Sequence, residues 1–193
     1  MIGERGKWWS RLWRQPRSAW LLGVPVGGFI LFLAGAAVLG GINGMLEVTS
    51  SNEFCFSCHS HETNIRPEYE ASTHFSNRTG VRADCADCHL PHDDWFDLVA
   101  TKVRVSFDVV PELMGKLDTP EKYEANRREM AESVWRQFRA DDSRFCRSCH
   151  ERDAMSADRQ SEAARGAHAV AQEAGRTCID CHRGIVHALP GAE

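Results

Sequence analysis

Cysteine is absent from this chain outside one short pattern, and that pattern uses all eight copies. The pattern is Cys-x-x-Cys-His: Cys55 to His59, Cys85 to His89, Cys146 to His150 and Cys178 to His182. A zinc site would need paired ligand sets, with no reason for His after the second Cys each time. A redox dithiol is normally single and sits in a βαβ context, which this chain lacks. Charge is missing too: none falls from Ser18 to Leu46. No apolar–polar alternation demands a sheet. Basic excess is missing beyond the N-terminus. Setting aside the five basic and one acidic residues of 1–18, the rest holds 18 Lys and Arg against 26 Asp and Glu, a net of −8. Such a balance excludes a nucleic-acid binder and suits a soluble partner with a basic docking face, or simply a solvated acidic surface.

What is present is the attachment signature of c-type haem, four times over. The two thiols of each motif add to the two vinyl groups of one haem. The following histidine then ligates the iron on its proximal side. Cys55, Cys58, Cys85, Cys88, Cys146, Cys149, Cys178 and Cys181 are thus the covalent attachment residues for four haems. His59, His89, His150 and His182 are the proximal iron ligands.

Three segments follow from the charge pattern. Residues 1–18 are a basic segment with Arg5, Lys7, Arg11, Arg14 and Arg17 against Glu4. Residues 19–46 are an uncharged apolar run, long enough to cross about 30 Å of hydrocarbon, which takes about 20 residues. Trp8, Trp9, Trp13 and Trp20 bracket one end, where indole favours the interface. The Lys/Arg excess puts the N-terminus in the cytoplasm and the remainder outside. Covalent haem attachment agrees, since it occurs on the outer face of the bacterial inner membrane. A cleaved signal peptide would have a shorter apolar core, about 7–15 residues, although Ala34-Gly-Ala-Ala could serve as its cleavage site.

Residues 47–193 form the outer domain, about 37 residues per haem. That is too few for an ordinary core, so the haems themselves must be the core. The fold class expected is mostly α with much irregular chain. One N-terminal transmembrane helix is followed by a pseudo-repeated four-haem domain. Dihaem halves near 50–95 and 141–190 are joined by a helical linker over 97–140. In the linker Thr119 is an N-cap followed by Pro120, and Tyr123, Met130, Val134 and Phe138 keep roughly helical spacing. A second helix from Asp97 to Val110 is expected to end at Pro111.

Five histidines are spare: His61, His74, His92, His168 and His187. Four recur at matched places: His74 and His168 precede the second and fourth motifs by eleven and ten residues, and His92 and His187 follow them. Low-spin haem takes two strong axial ligands, and histidine is the commonest metal ligand among side chains. These four are therefore the candidate distal ligands. Pseudo-symmetry suggests His74 to the third haem, His187 to the second, His168 to the first and His92 to the fourth.

The segment from Thr73 through Arg82-Ala-Asp-Cys85 to His89 closely resembles the NapC/NirT family of membrane-anchored tetrahaem cytochromes. So do Gly115 to Lys122 and Cys178-Ile-Asp-Cys-His182-Arg-Gly-Ile-Val-His187, and the likeness covers nearly the whole chain. It implies transfer of electrons from the membrane quinol pool to a soluble periplasmic reductase, a nitrate reductase complex first. It also implies that His74, His92, His168 and His187 are distal ligands. Family members often carry Met two residues after the first motif's histidine, an axial ligand in the related nitrite-reductase anchor. Here His61 stands there, either a surface residue or a competitor of His168 for the first haem. The resemblance also puts Asp108 and Lys102 near the quinol pocket, as proton acceptor and hydrogen-bond donor. Quinol oxidation releases two protons with two electrons, so a base is required.

Other roles use the same parts. The chain could be an anchor and donor for another reductase, of nitrite, trimethylamine N-oxide or similar. It could instead be a terminal haem reductase, which needs an exchangeable iron position.

Overall fold

The computed structural model describes residues 26–191. The basic segment 1–18, the four tryptophans near it and the first residues of the 19–46 run lie outside the described residues. The chain divides into two compact units, Met1–Thr49 and Ser50–Glu193. Its described part is mostly helical and contains no strand among the described residues.

Among its described residues the first unit holds one helix, α1, Val26–Val48, of 23 residues. At 1.5 Å per residue it is about 34 Å long, enough to span a bilayer core. Phe29, Ile30, Leu31, Phe32, Leu33, Val38, Leu39 and Ile42 are all exposed along it. A helix that is apolar all round and uncovered calls for lipid rather than water. Its one internal amide, Asn43, donates to the Leu39 carbonyl at 2.8 Å, so no polar group is left over there. The helix runs two residues past Leu46, taking in Glu47 at its exit.

The second unit is a string of short elements. In order they are α2 Asn52–Cys55, a π turn His61–Ile65, α3 Arg66–Glu70, α4 Cys85–His89 and α5 Trp95–Val105. A 3₁₀ turn Ser106–Asp108 leads into α6 Val109–Leu113, then α7 Pro120–Ala140, α8 Arg144–Arg147 and α9 Glu162–Glu173. The last element is a 3₁₀ turn, Cys178–Asp180.

Helix α7 starts as its sequence dictates: the Thr119 hydroxyl accepts from Lys122 N and Pro120 takes the first helical position. The expected single helix over 97–110 is two. α5 starts at Trp95, capped by Asp94, which accepts from Asp97 N at 2.7 Å. Pro111 lies inside α6 instead of ending a helix before it. It is in that helix's first turn, where a backbone N–H has no intrahelical partner to lose.

Fully buried apolar side chains are few. In this unit they are Tyr69, Ala86, Leu90, Pro91, Tyr123, Phe138, Phe145 and Ile179, among the described residues. Phe138, Phe145 and Ile179 pack together with Val134 and Trp135 beside the third and fourth motifs. A core this thin cannot offset the ordering of about 140 residues by itself.

Candidate functional site

The second, third and fourth motifs are helical turns, in which the two thiols and the imidazole fall together. α4 is the second motif itself, Cys85–His89. In the third and fourth, His150 N donates to Cys146 O at 2.8 Å and His182 N to Cys178 O at 2.9 Å. The i, i+3 and i+4 positions of a helical turn share a face. No two of the eight cysteines form a disulfide, and none is buried.

Two unforeseen side chains fix these turns. Asn52, three residues before Cys55, accepts from Cys85 N at 2.9 Å through Oδ1 and donates to Asp84 Oδ1 at 2.8 Å. Ser143, three residues before Cys146, is fully buried, and its hydroxyl accepts from Ile179 N at 3.2 Å. Thus each odd-numbered motif carries a tether to the even-numbered one that follows. Asp87 and Asp180 each sit one residue before the second cysteine of motifs two and four. Each carboxylate accepts the backbone N–H three residues earlier, Asp84 N at 2.7 Å and Thr177 N at 3.0 Å. The signal was in the sequence: motifs two and four share Cys-x-Asp-Cys. Ser143 has φ 52, in the left-handed region. Ser143→Ala leaves Ile179 N unpaired in the core, so a loss of about 1–2 kcal/mol is expected on denaturant titration.

Histidine rings face one another in three pairs. The ring centres of His89 and His187 are 6.3 Å apart, those of His74 and His150 6.2 Å, and those of His168 and His182 6.0 Å. A metal–imidazole bond is about 2.0–2.1 Å, so two imidazoles on opposite sides of one ion have ring centres about 6 Å apart. Each pair can hold one metal ion between its rings. Each joins a histidine that ends a Cys-x-x-Cys-His motif to a spare one.

Burial keeps the second-motif pair in the neutral form that a metal needs. It pushes His89 down to about 4, helped by nearby His187 and His61. It lowers His187 as well, with the Glu68 carboxylate opposing. Glu68 Oε2 lies 3.7 Å from His187 Nδ1 and accepts from Ala188 N at 3.0 Å. A carboxylate behind a ligating imidazole fixes its tautomer and orientation. His168 Nδ1 is similarly 2.7 Å from Gln160 Oε1.

The pairing differs from pseudo-symmetry in one half. His74 faces the third motif and His187 the second, as symmetry suggests. His168 faces His182 of the fourth motif rather than His59 of the first. The cause is local: α9 ends at Glu173, and Gly175, with φ 63, turns the chain back so that the helix lies over the motif following it. His74 sits in a loop instead, its carbonyl accepting from Ala83 N at 2.9 Å. His92 is half exposed, with Nε2 3.6 Å from Asp87 Oδ1.

The first motif has the most charged surroundings. His61 Nδ1 lies 2.9 Å from the Cys55 carbonyl, at the start of the π turn. If Nδ1 donates there, Nε2 is left unprotonated. Glu112 of α6 accepts from Ser60 N at 3.0 Å. Burial, then the Glu112 charge, raises the Cys58 thiol. A hydrogen bond with Cys85 lowers the Cys55 thiol against burial, with the Lys102 charge adding to it, while burial lowers the Lys102 ammonium. Asp118 is held low by the Lys122 ammonium at 2.7 Å, with His59 nearby. Asp108 is exposed at the end of its 3₁₀ turn. Sequence reasoning missed Glu112. Only the fold brings it back onto a residue 52 positions earlier.

The family described as NapC/NirT cytochrome c family, N-terminal region, matches residues 18–192. The denitrification system component NirT of Stutzerimonas stutzeri is 44% identical over 181 residues, 93% of this chain and 88% of that protein. The cytochrome c-type protein NapC of Escherichia coli (strain K12) is 39% identical over 181 residues, 94% of this chain and 90% of that protein. The cytochrome c-type protein TorY of Escherichia coli O157:H7 is 47% identical over 167 residues, 83% of this chain but 45% of that longer protein. No solved structure matches.

Proposed function

Because this chain belongs to the NapC/NirT cytochrome c family, we propose that it is a membrane-anchored electron-transfer protein carrying four covalent c-type haems. It takes electrons from membrane quinol and delivers them to a soluble periplasmic reductase, a nitrate reductase first. The three facing imidazole pairs carry this reading: each supplies two like ligands to one iron. Bound haem supplies reversible one-electron chemistry at iron.

The residues then have defined tasks. Each pair of thiols would bond one haem, with the motif histidine as an iron ligand. His187, His74 and His168 would be the second histidine ligands for the haems of the second, third and fourth motifs. His61 and His92 are the spare imidazoles for the first. Rigid, identical ligation in both redox states keeps reorganisation small. The tethers Asn52 and Ser143, at equal distances before the first and third motifs, support a repeat of two dihaem halves near 50–95 and 141–190. α1 anchors the unit in the bacterial inner membrane, with residues 1–18 in the cytoplasm and the haem domain in the periplasm.

Quinol chemistry belongs near the first motif. Oxidation to quinone releases two electrons and two protons, and the protons need an acceptor. Lys102 and Glu112 approach that motif from one side, and Asp108 lies between them in the chain. Lys102 orients the quinol oxygen, and Glu112 and Asp108 take the two protons, one each.

The test is reduction of the purified holoprotein by a quinol analogue, followed at the haem absorbance. Full reduction is expected; haems that stay oxidised would sink the proposal. Asp108→Asn and Glu112→Gln are each expected to slow quinol reduction about 10²-fold, the lower range for one general base, while dithionite reduces all haems as before. Reoxidation by nitrate, nitrite or trimethylamine N-oxide without a partner would select a terminal reductase instead.

A further inference from the structure

A row of large apolar side chains faces outward along α5, the 3₁₀ turn and α6. Phe96, Val103, Phe107, Val110 and Met114 follow one another at spacings of seven, four, three and four residues. That is the period of one helical face. Phe96 is 75% exposed, Phe107 69% and Met114 67%, and Leu113 beside them is 82% exposed. Rows of this kind on a folded surface mark interaction sites.

The opposite face is already used. Thr101 is buried, Asp97 Oδ2 accepts from Arg144 Nη2 at 2.6 Å, and Glu112 accepts from Ser60 N. Ser60 directly follows the first motif, and Arg144 lies two residues before the third. The haem-bearing segments are therefore on the inner side, and the apolar row points away from them.

We propose that residues 95–116 are a second, monotopic membrane contact, with this row set into the acyl region of the lipid surface. Three observations choose lipid as the occupant. First, the row is helical, apolar and aromatic on one side, with exposed Arg104 and Lys116 beside it, the composition of an interfacial helix. Second, charge fits. Residues 19–193 are net −8, yet 95–116 hold three basic and three acidic residues. Two of those acids, Asp97 and Glu112, are bonded inward, so the outward side is locally basic and suits anionic headgroups. Third, chain length limits the distance. The first motif starts seven residues after Val48, the end of α1. At about 3.5 Å per residue, Cys55 stays within about 25 Å of the helix end. Glu112 bonds Ser60, directly after that motif, so the short tether leaves this row within reach of the lipid surface. The anchor also makes the contact intramolecular, so a modest patch suffices.

This inference rests on reading α1 as a bilayer span, and the experiment separates the two. The full-length holoprotein is placed in lipid nanodiscs with the photo-crosslinker p-benzoylphenylalanine at Phe107, at Phe32 of α1, or at Val170, which is exposed on α9. Irradiation and mass spectrometry read the adducts. Lipid adducts are expected at positions 32 and 107 and not at 170. Adducts at 32 but not at 107 overturn the lipid contact and leave the anchor standing. No adduct at either position removes both. Adducts at 107 to a purified reductase in place of lipid overturn the proposal in favour of a protein-docking face. A Phe107→Ser, Leu113→Ser variant serves as the second measurement. It is expected to keep four haems with unchanged spectra while its reduction by long-chain quinol in nanodiscs falls at least fivefold. An unchanged rate counts against the lipid contact.

Discussion

Replacing His168 by alanine is expected to change one haem of the four from low to high spin, and that haem is the one attached at Cys178 and Cys181. The ring of His168 faces His182 with centres 6.0 Å apart, so no other motif loses a facing imidazole. His74→Ala acts in the same way on the haem at Cys146 and Cys149, and His187→Ala on the one at Cys85 and Cys88. Electron paramagnetic resonance counts the low-spin centres: one fewer after the substitution than before. Potentiometric titration then shows which centre moved, because a lost strong-field ligand shifts the reduction potential. Pseudo-symmetry makes a different statement, in which His168→Ala strikes the first haem and leaves the fourth untouched. The two are separated by the quinol reaction. Loss at the fourth haem leaves reduction of the first by quinol intact and blocks delivery beyond it. Loss at the first stops reduction at the outset. A variant that keeps every low-spin signal would remove His168 from the ligand set altogether.

Covalent attachment was legible because it is local: two thiols and a histidine within five residues define it at any place in a fold. The anchor was legible for the same reason, since length and absence of charge suffice. The partner of each spare histidine was not. His74 faces a motif beyond α7, while His168 faces the motif ten residues ahead, though the two stand almost equally far from a cysteine in sequence. What differs is the path between them, a loop in one case and a helix closed by Gly175 in the other. Glu112 and Glu68 were illegible for a related reason. An isolated carboxylate in a polar sequence is usually solvated, and only tertiary contact with Ser60 or with His187 and Ala188 distinguishes these two. The tethers lie between these cases. Asn52 and Ser143 hold equal positions before their motifs, but a repeat of position with different residue types is hard to see.

Arg127→Met is expected to lower stability by about 3 kcal/mol, near the bottom of the range for breaking a buried ion pair. For a chain of this size that is roughly 6–12 °C in Tm. The side chain is 8% exposed and binds on three sides. It donates to both Glu124 oxygens at 2.8 Å, to Glu68 Oε1 at 2.7 Å and Oε2 at 3.1 Å, and to the Ala188 carbonyl at 3.4 Å. Burial works against its charge, and the hydrogen bonds to Glu124 and Glu68 more than offset this, so the guanidinium stays charged. The links join α3, α7 and the loop that carries His187. Lysine cannot reproduce the planar fork, so Arg127→Lys should recover only part of the loss. Glu68→Gln alone removes the carboxylate from the same cluster and leaves Arg127 with Glu124. Because Arg127→Met strands the Glu68 carboxylate, Arg127→Met with Glu68→Gln should cost less than the sum of the two. An additive result would mean that the pair contributes by packing alone. Denaturant titration by circular dichroism measures the stability terms. The haem spectrum supplies the second readout, since Glu68 lies 3.7 Å behind His187. With the carboxylate gone, the second haem's low-spin signal should shift while the third and fourth stay fixed. That local shift would separate a carboxylate that positions a ligand from one that merely holds two helices together.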